Sequence, residues 1–234
     1  MASFLMFVRQ IAADSMLVMS TAAPILAGTA FRFGLPPLEA FLSHRLGHPV
    51  IAPYYALVDA FLAILAPYML CFASSMVILE ERDAGIVSCL AVTPVGRIGY
   101  VASRLVIPSL IAAAVTVVVL SAFGLSGMGL RVRLAVSAAS AILATSFALL
   151  IPAASRNRVE GMAIAKLCGL ILAGIAVPFV VRSPWRFLAA PLPSFWVGEA
   201  LSRARPFAWL AFIGVSLVWV AALYPLFCRR IERR

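Results

Sequence analysis

A chain of 234 residues that is 64% hydrophobic and 12% charged would leave large apolar patches facing water as a soluble fold, so a bilayer is the medium that matches it. Its formal net charge of +10 is almost all guanidinium, eighteen arginines and the single lysine Lys166 against nine acids, scattered between apolar runs rather than gathered on a basic face. That scatter argues against a nucleic-acid partner. The four cysteines, at 71, 89, 168 and 228, stand far apart in or beside apolar segments, which argues against a disulfide framework or a zinc site.

In the opening stretch Phe4, Val8 and Ile11 recur at helical spacing with Arg9, Gln10 and Asp14 opposite, the pattern of a helix lying in the membrane interface. The small residues from Ser20 to Ala23 imitate a signal cleavage site. Arg9 and Asp14, however, occupy the place of a signal's apolar region, and further apolar segments follow, so the stretch is expected to be retained. A membrane helix needs about 20 apolar residues to cross roughly 30 Å of hydrocarbon. Six segments qualify, at about 15–31, 53–79, 105–124, 134–154, 161–181 and 207–227. The expected fold is therefore an all-α membrane protein, one transmembrane domain over 1–234.

Between the first two spans a polar loop is expected, marked by Pro36, Pro37 and Pro49. Its Glu39, His44 and His48 have metal-binding spacing only on a helix, which Gly47 and Pro49 oppose, so no metal site is expected. The 27 residues of the second span require tilt or a kink, expected at Pro67. Lys166, one turn inside the fifth span, can snorkel to the interface. Residues 182–206 are broken by four prolines yet rich in aromatics; short helices half-sunk at the interface are expected there, with tryptophans in the aromatic belt. An even span count puts both termini on one side, and the arginine-rich C-terminus assigns that side to the cytoplasm. The overall bias is weak, eleven basic residues on the cytoplasmic flanks against eight outside.

Within the spans few groups stand out. Asp59 lies six residues inside the second span, where a carboxylate is costly, and is a candidate for a cavity facing a cationic substrate or for simple interfacial solvation. Phe195, Trp196 and Glu199 are candidates for the outer end of a substrate pathway, with Arg203 or Arg205 as a plain salt-bridge partner for Glu199. No paired catalytic carboxylates or Ser-His-Asp set can be assembled, so no catalytic residue is expected.

The most informative segment joins the second and third spans. Glu80, Glu81, Arg82 and Asp83 abut the span; then come Gly85, an apolar stretch in which Ile86, Cys89 and Leu90 share a face, the pair Thr93-Pro94, and Arg97 and Arg104 at the return to the membrane. Such an apolar face needs a partner. The stretch resembles the coupling region of type-2 class ABC exporter permeases, in which an acidic residue, a glycine, a leucine and a Thr-Pro pair recur between the second and third spans, as Glu81, Gly85, Leu90, Thr93 and Pro94 do here. The six-span layout, the interfacial N-terminal helix and the broken segment before the last span extend the likeness.

The resemblance implies the membrane subunit of an ATP-driven exporter in the bacterial inner membrane, with a short cytoplasmic coupling helix seated in a separate ABC ATPase subunit. Ile86 and Leu90 would enter its cleft, with Glu80, Glu81, Arg82, Asp83, Gly85, Thr93, Pro94 and Arg97 around them. It implies a second permease copy or related permease, surrounding membrane lipid, and export of a hydrophobic or amphipathic small molecule such as a drug or antibiotic. The chain is expected to bind no cofactor itself: a P-loop needs a glycine-rich run before its lysine, and Lys166 follows Ala165. ATP and Mg would be held by the partner. The alternatives are a solvated loop for this segment, and a secondary transporter or membrane-embedded enzyme for the whole. Those two classes place ionisable groups near mid-membrane, and the spans hold almost none.

Overall fold

In hydrocarbon the backbone must satisfy its own N–H and C=O groups, which leaves apolar spans such as these the helix as their stable form. The computed structural model describes residues 14–85, 102–203 and 205–232, and every regular element there is helical: α1 (Ser15–Leu46), α2 (Tyr55–Asp83), α3 (Ile107–Phe123), α4 (Leu130–Ala154), α5 (Arg158–Leu172), α6 (Val177–Val180), α7 (Pro193–Arg203) and α8 (Pro206–Glu232). Six stretches are long and apolar enough to cross a membrane: Leu17–Leu46, Ala52–Asp83, Arg104–Phe123, Leu130–Ala154, Arg158–Val180 and Phe207–Cys228. The chain is an all-α multi-pass membrane protein. Phe4, Val8 and Ile11 of the expected interfacial helix lie outside the described residues.

The second span is the axis of the fold. Ile64, Tyr68, Met76 and Leu79 of α2 pack with Leu143, Phe147 and Ile151 of α4 and with Ala165, Cys168 and Leu172 of α5. Tyr68 meets Phe147 edge to face at 5.5 Å between centroids. On another side Cys71 and Ile78 pack with Ala148 and Leu149 of α4 and Leu223 and Phe227 of α8. α1, α5 and α8 lie outermost and leave Phe33, Leu170, Leu210 and Leu217 exposed, as hydrocarbon solvent permits.

Pro67 supplies no N–H to the carbonyl of Ala63; the Thr116 hydroxyl lies 3.5 Å from that oxygen, with a shorter bond of 2.8 Å to the Ala112 carbonyl of its own helix. Pro108 deprives the Arg104 carbonyl, at a single π-helical turn over Ala102–Val106, and the Ser74 hydroxyl donates to it from α2. That exchange ties α2 to the start of α3.

Three expectations are corrected. The helix of the first span does not end near Phe31 in a loop: α1 runs to Leu46 through Arg32, Pro36 and Pro37. The remaining loop is short and folds back so that the Glu39 carboxylate accepts the amides of Val50 and Ile51 at 3.1 and 2.6 Å. Glu39 is thus a turn-closing group, and no group of three metal-binding side chains occurs among the described residues. The fifth span is not one α-helix; it passes into a 3-10 turn at Ala173–Ala176 before α6, next to Pro178 and a close backbone approach.

The third correction follows from that approach. A Cβ on Gly198 would lie 2.3 Å from the Ile175 carbonyl oxygen, so only glycine lets α7 pack directly on the broken span. Ser194 donates to the Ile171 carbonyl at 2.5 Å, and the Trp219 indole donates to the Pro191 carbonyl at 3.0 Å. Trp219 is twelve residues beyond Phe207, about 18 Å along α8 at 1.5 Å per residue. Residues 182–203 therefore form a hairpin that folds back beside the broken fifth span and α8 rather than resting at their ends, and seven of the eleven residues of α7 are buried.

Candidate functional site

At the end of the bundle where α2 stops, four consecutive charges are each assigned a place. Ala84 N–H bonds to the Glu80 carbonyl at 2.9 Å and Gly85 N–H to that of Arg82 at 3.1 Å, and Gly85 has φ of 71°. This is a left-handed helix terminus, which favours glycine because a Cβ clashes there. No described atom stands within 4 Å of where that Cβ would be, so the demand is set by backbone handedness.

Glu81 forms a bidentate ion pair with Arg104, whose Nε donates at 3.1 Å and whose Nη2 completes the pair. Both side chains are only 3% exposed. Arg82 turns the other way and caps the C-terminus of α4, donating to the carbonyls of Pro152 at 3.0 Å and Ser155 at 2.9 Å. A cation there also complements the negative end of that helix dipole.

The partly exposed charges form a second layer. The Arg158 guanidinium pairs with Asp14 and approaches Glu80 at 3.4 Å, while its amide donates to Asp83 at 3.3 Å. The first turn of α5 is closed by a reciprocal cap: Glu160 N–H donates to the Asn157 side chain at 2.9 Å, and Arg156 N–H donates to Glu160 at 2.6 Å. The Asn157 side chain thereby satisfies an N–H group that a helix start leaves without an intrahelical partner, and Glu160 holds the residue before the cap.

Together these contacts make a foot that joins the ends of α2 and α4 to the starts of α3 and α5. Residues 86–101 are attached to it at both roots, and the Glu81–Arg104 pair locks one root to the other. Asp83, Ala84 and Gly85 are exposed at this end. Ile86 and Leu90 of the expected coupling helix, and Thr93, Pro94 and Arg97 after it, lie outside the described residues. The sequence alone does not single out Arg158 and Asp14 as members of the foot; the signal it carries is that the acids at 80, 81 and 83 require cations nearby.

The expected pathway residues separate into two places. Asp59, 1% exposed, accepts the amides of Leu125 and Ser126 at 2.8 Å each and the Ser126 hydroxyl, holding the α3–α4 turn. Phe195, Trp196 and Glu199 lie together on α7. Phe195 is buried between Phe187 at 6.0 Å and Trp196 at 5.3 Å between centroids, and the Trp196 indole donates to the Ala190 carbonyl at 2.8 Å. Glu199, also buried, faces Arg186, Arg203 and Arg205, at 3.4, 3.8 and 4.0 Å from its Oε1.

Five apolar spans ranged round a buried second span, six in all, with a charged foot under one connection, are the architecture of a polytopic membrane protein and are consistent with an ABC-type permease. The family model described as fluoroquinolones export permease protein Rv2686c-like matches residues 7–227, and the chain belongs to that family. It is 26% identical over 220 residues to the fluoroquinolones export permease proteins Rv2686c and MT2760 of two Mycobacterium tuberculosis strains, across 92% of this chain and 87% of each relative. No solved structure matches the chain.

Proposed function

We propose that this chain is the membrane-spanning subunit of an ATP-driven exporter of hydrophobic or amphipathic small molecules, fluoroquinolone-like drugs among them. The observation that supports this best is the family match across residues 7–227. Energy would come from a separate ABC ATPase holding ATP and Mg, because the only lysine of the chain lacks a P-loop context. A second permease copy or a related chain would complete the transporter. Coupling runs through residues 80–97: the apolar face of Ile86 and Leu90 seats in the ATPase, and the Glu81–Arg104 lock passes its movement to α2 and α3.

The test is Leu90→Asp in the assembled transporter. Losing a leucine-sized contact in a packed site costs about 2–5 kcal/mol, and an unpaired charge adds to that. The variant should insert normally but fail to copurify the ATPase and lose substrate-stimulated hydrolysis. A solvated loop accepts aspartate within about 0.5 kcal/mol, so parental copurification and hydrolysis would remove the coupling role.

In the proposed orientation both termini and the foot face the cytoplasm of a bacterial inner membrane, and the end of α1 faces out. Single cysteines at Ser43 and Ser88, in a background lacking the native four, should label from opposite sides of the membrane. Labelling of both from one side defeats this topology.

A further inference from the structure

The cluster around Glu199 is unbalanced. One carboxylate faces three guanidinium groups, and among the described residues neither of its oxygens, nor Nε of Arg186, has a hydrogen-bond partner. Glu199 and Arg186 are buried, at 3% and 8% side-chain exposure, whereas Arg203 and Arg205 are 32% and 58% exposed. A buried carboxylate without hydrogen bonds is costly, and a single acid neutralises one of the three arginines.

The surroundings say what would complete it. The guanidinium of Arg186 lies 4.8 Å over the Phe187 ring, and in the same turn, Pro184–Ala189, Trp185, Phe187 and Leu188 are exposed apolar side chains. Positive charge open to the surface on one side and an exposed apolar rim on the other match an oxyanion carried on an apolar body.

We propose that Arg186, Arg203 and Arg205 form a binding site for the anionic head of an amphiphile, with Glu199 holding the arginines in place while the site is empty. The head is a carboxylate or phosphate group, which guanidinium binds through paired, charge-assisted hydrogen bonds; the body lies along Trp185 and Leu188. For a transported solute this rests on the export reading above, and it narrows the substrate class to compounds carrying a carboxylate.

The experiment uses the purified full chain in neutral phosphatidylcholine nanodiscs, with a tritiated carboxylate-bearing fluoroquinolone as probe and its unlabelled methyl ester as competitor. The ester should compete at least about tenfold more weakly than the unlabelled acid, and Arg203→Gln/Arg205→Gln should weaken acid binding by a similar factor, the scale of one charge-assisted hydrogen bond lost. Arg203→Lys/Arg205→Lys should recover part of that loss. Glu199→Gln should tighten acid binding several-fold, because it removes the competing carboxylate; a purely structural ion pair predicts no gain.

Equal competition by acid and ester, or parental acid affinity in the double glutamine variant, overturns the proposal. So does a double glutamine variant that loses acid and ester alike, or weaker acid binding in the folded Glu199→Gln variant. Anionic phosphatidylglycerol nanodiscs distinguish the source of the head: reduced probe affinity that the double glutamine variant does not show assigns the site to lipid phosphate as well, and unchanged affinity assigns it to the solute. Because no ATPase is present, failure of the coupling segment leaves this result intact, and failure here leaves the coupling test intact.

Discussion

Glu81→Ala is expected to destabilise the purified chain by about 3–5 kcal/mol, because it removes the carboxylate of a buried, bidentate ion pair with Arg104. The pair is 3% exposed on both sides, so water cannot readily replace the lost carboxylate. Arg104→Met alone should cost a comparable amount by removing the guanidinium half of the same buried pair. The double variant Glu81→Leu/Arg104→Met should recover most of the loss, since packed apolar residues often match or exceed a buried ion pair in stability. Thermal unfolding in detergent, run as a double-mutant cycle, measures the coupling. Single variants within about 0.5 kcal/mol of the parent would show that the foot does not depend on this pair. The double variant has a second use: if it is stable and still couples, apolar packing transmits the movement as well as the ion pair does.

The second large effect concerns Asp59. Both of its oxygens are taken up by the turn after α3: Oδ1 accepts the Leu125 amide, and Oδ2 accepts the amide and hydroxyl of Ser126. Asp59→Asn keeps the shape but turns one acceptor into an NH2 group facing donors, and donors cannot bond to one another. Each buried polar group left unpaired costs about 1–3 kcal/mol, more when a charged partner is lost. The variant should therefore unfold at lower temperature, with transport falling in proportion to the folded fraction. A carboxylate whose task is to bind cationic substrate gives the opposite pattern, normal stability with lost transport, and that pattern would return Asp59 to the pathway.

Much of the fold could be read from the sequence because hydrophobic length is a strong signal: the spans near 53–79 and 207–227 correspond closely to α2 and α8. What escaped was set by tertiary contacts. Proline in α1 looked like a loop signal, yet each helical proline forfeits one backbone bond, a loss that exposed carbonyls make good with solvent. The break in the fifth span depends on Gly198 meeting the Ile175 carbonyl, a contact between residues 23 positions apart that no local window contains. At the foot, the charge cluster at 80–83 was visible as a string, but its partners Arg104 and Arg158 are fixed only when α3 and α5 stand beside α2. The imbalance around Glu199 was partly legible, since Arg203 and Arg205 are sequence neighbours; the buried Arg186, thirteen residues earlier, was not.

The length of α1 gives the molecule two dissimilar ends. Gly28 packs against Phe123, and the Arg32 guanidinium donates to the Gly124 carbonyl at 3.1 Å, so these residues mark the level at which α3 finishes. The fourteen residues from there to Leu46 carry the helix about 21 Å farther at 1.5 Å per residue. Among the described residues one end thus carries the charged foot, and the other bears a mast. Bilayer thickness is gauged by the α3–α4 pair, whose span is bounded by charge at both ends, while the mast adds reach without adding mismatch. A change in lipid chain length would therefore strain the short helices first and leave the long one largely indifferent.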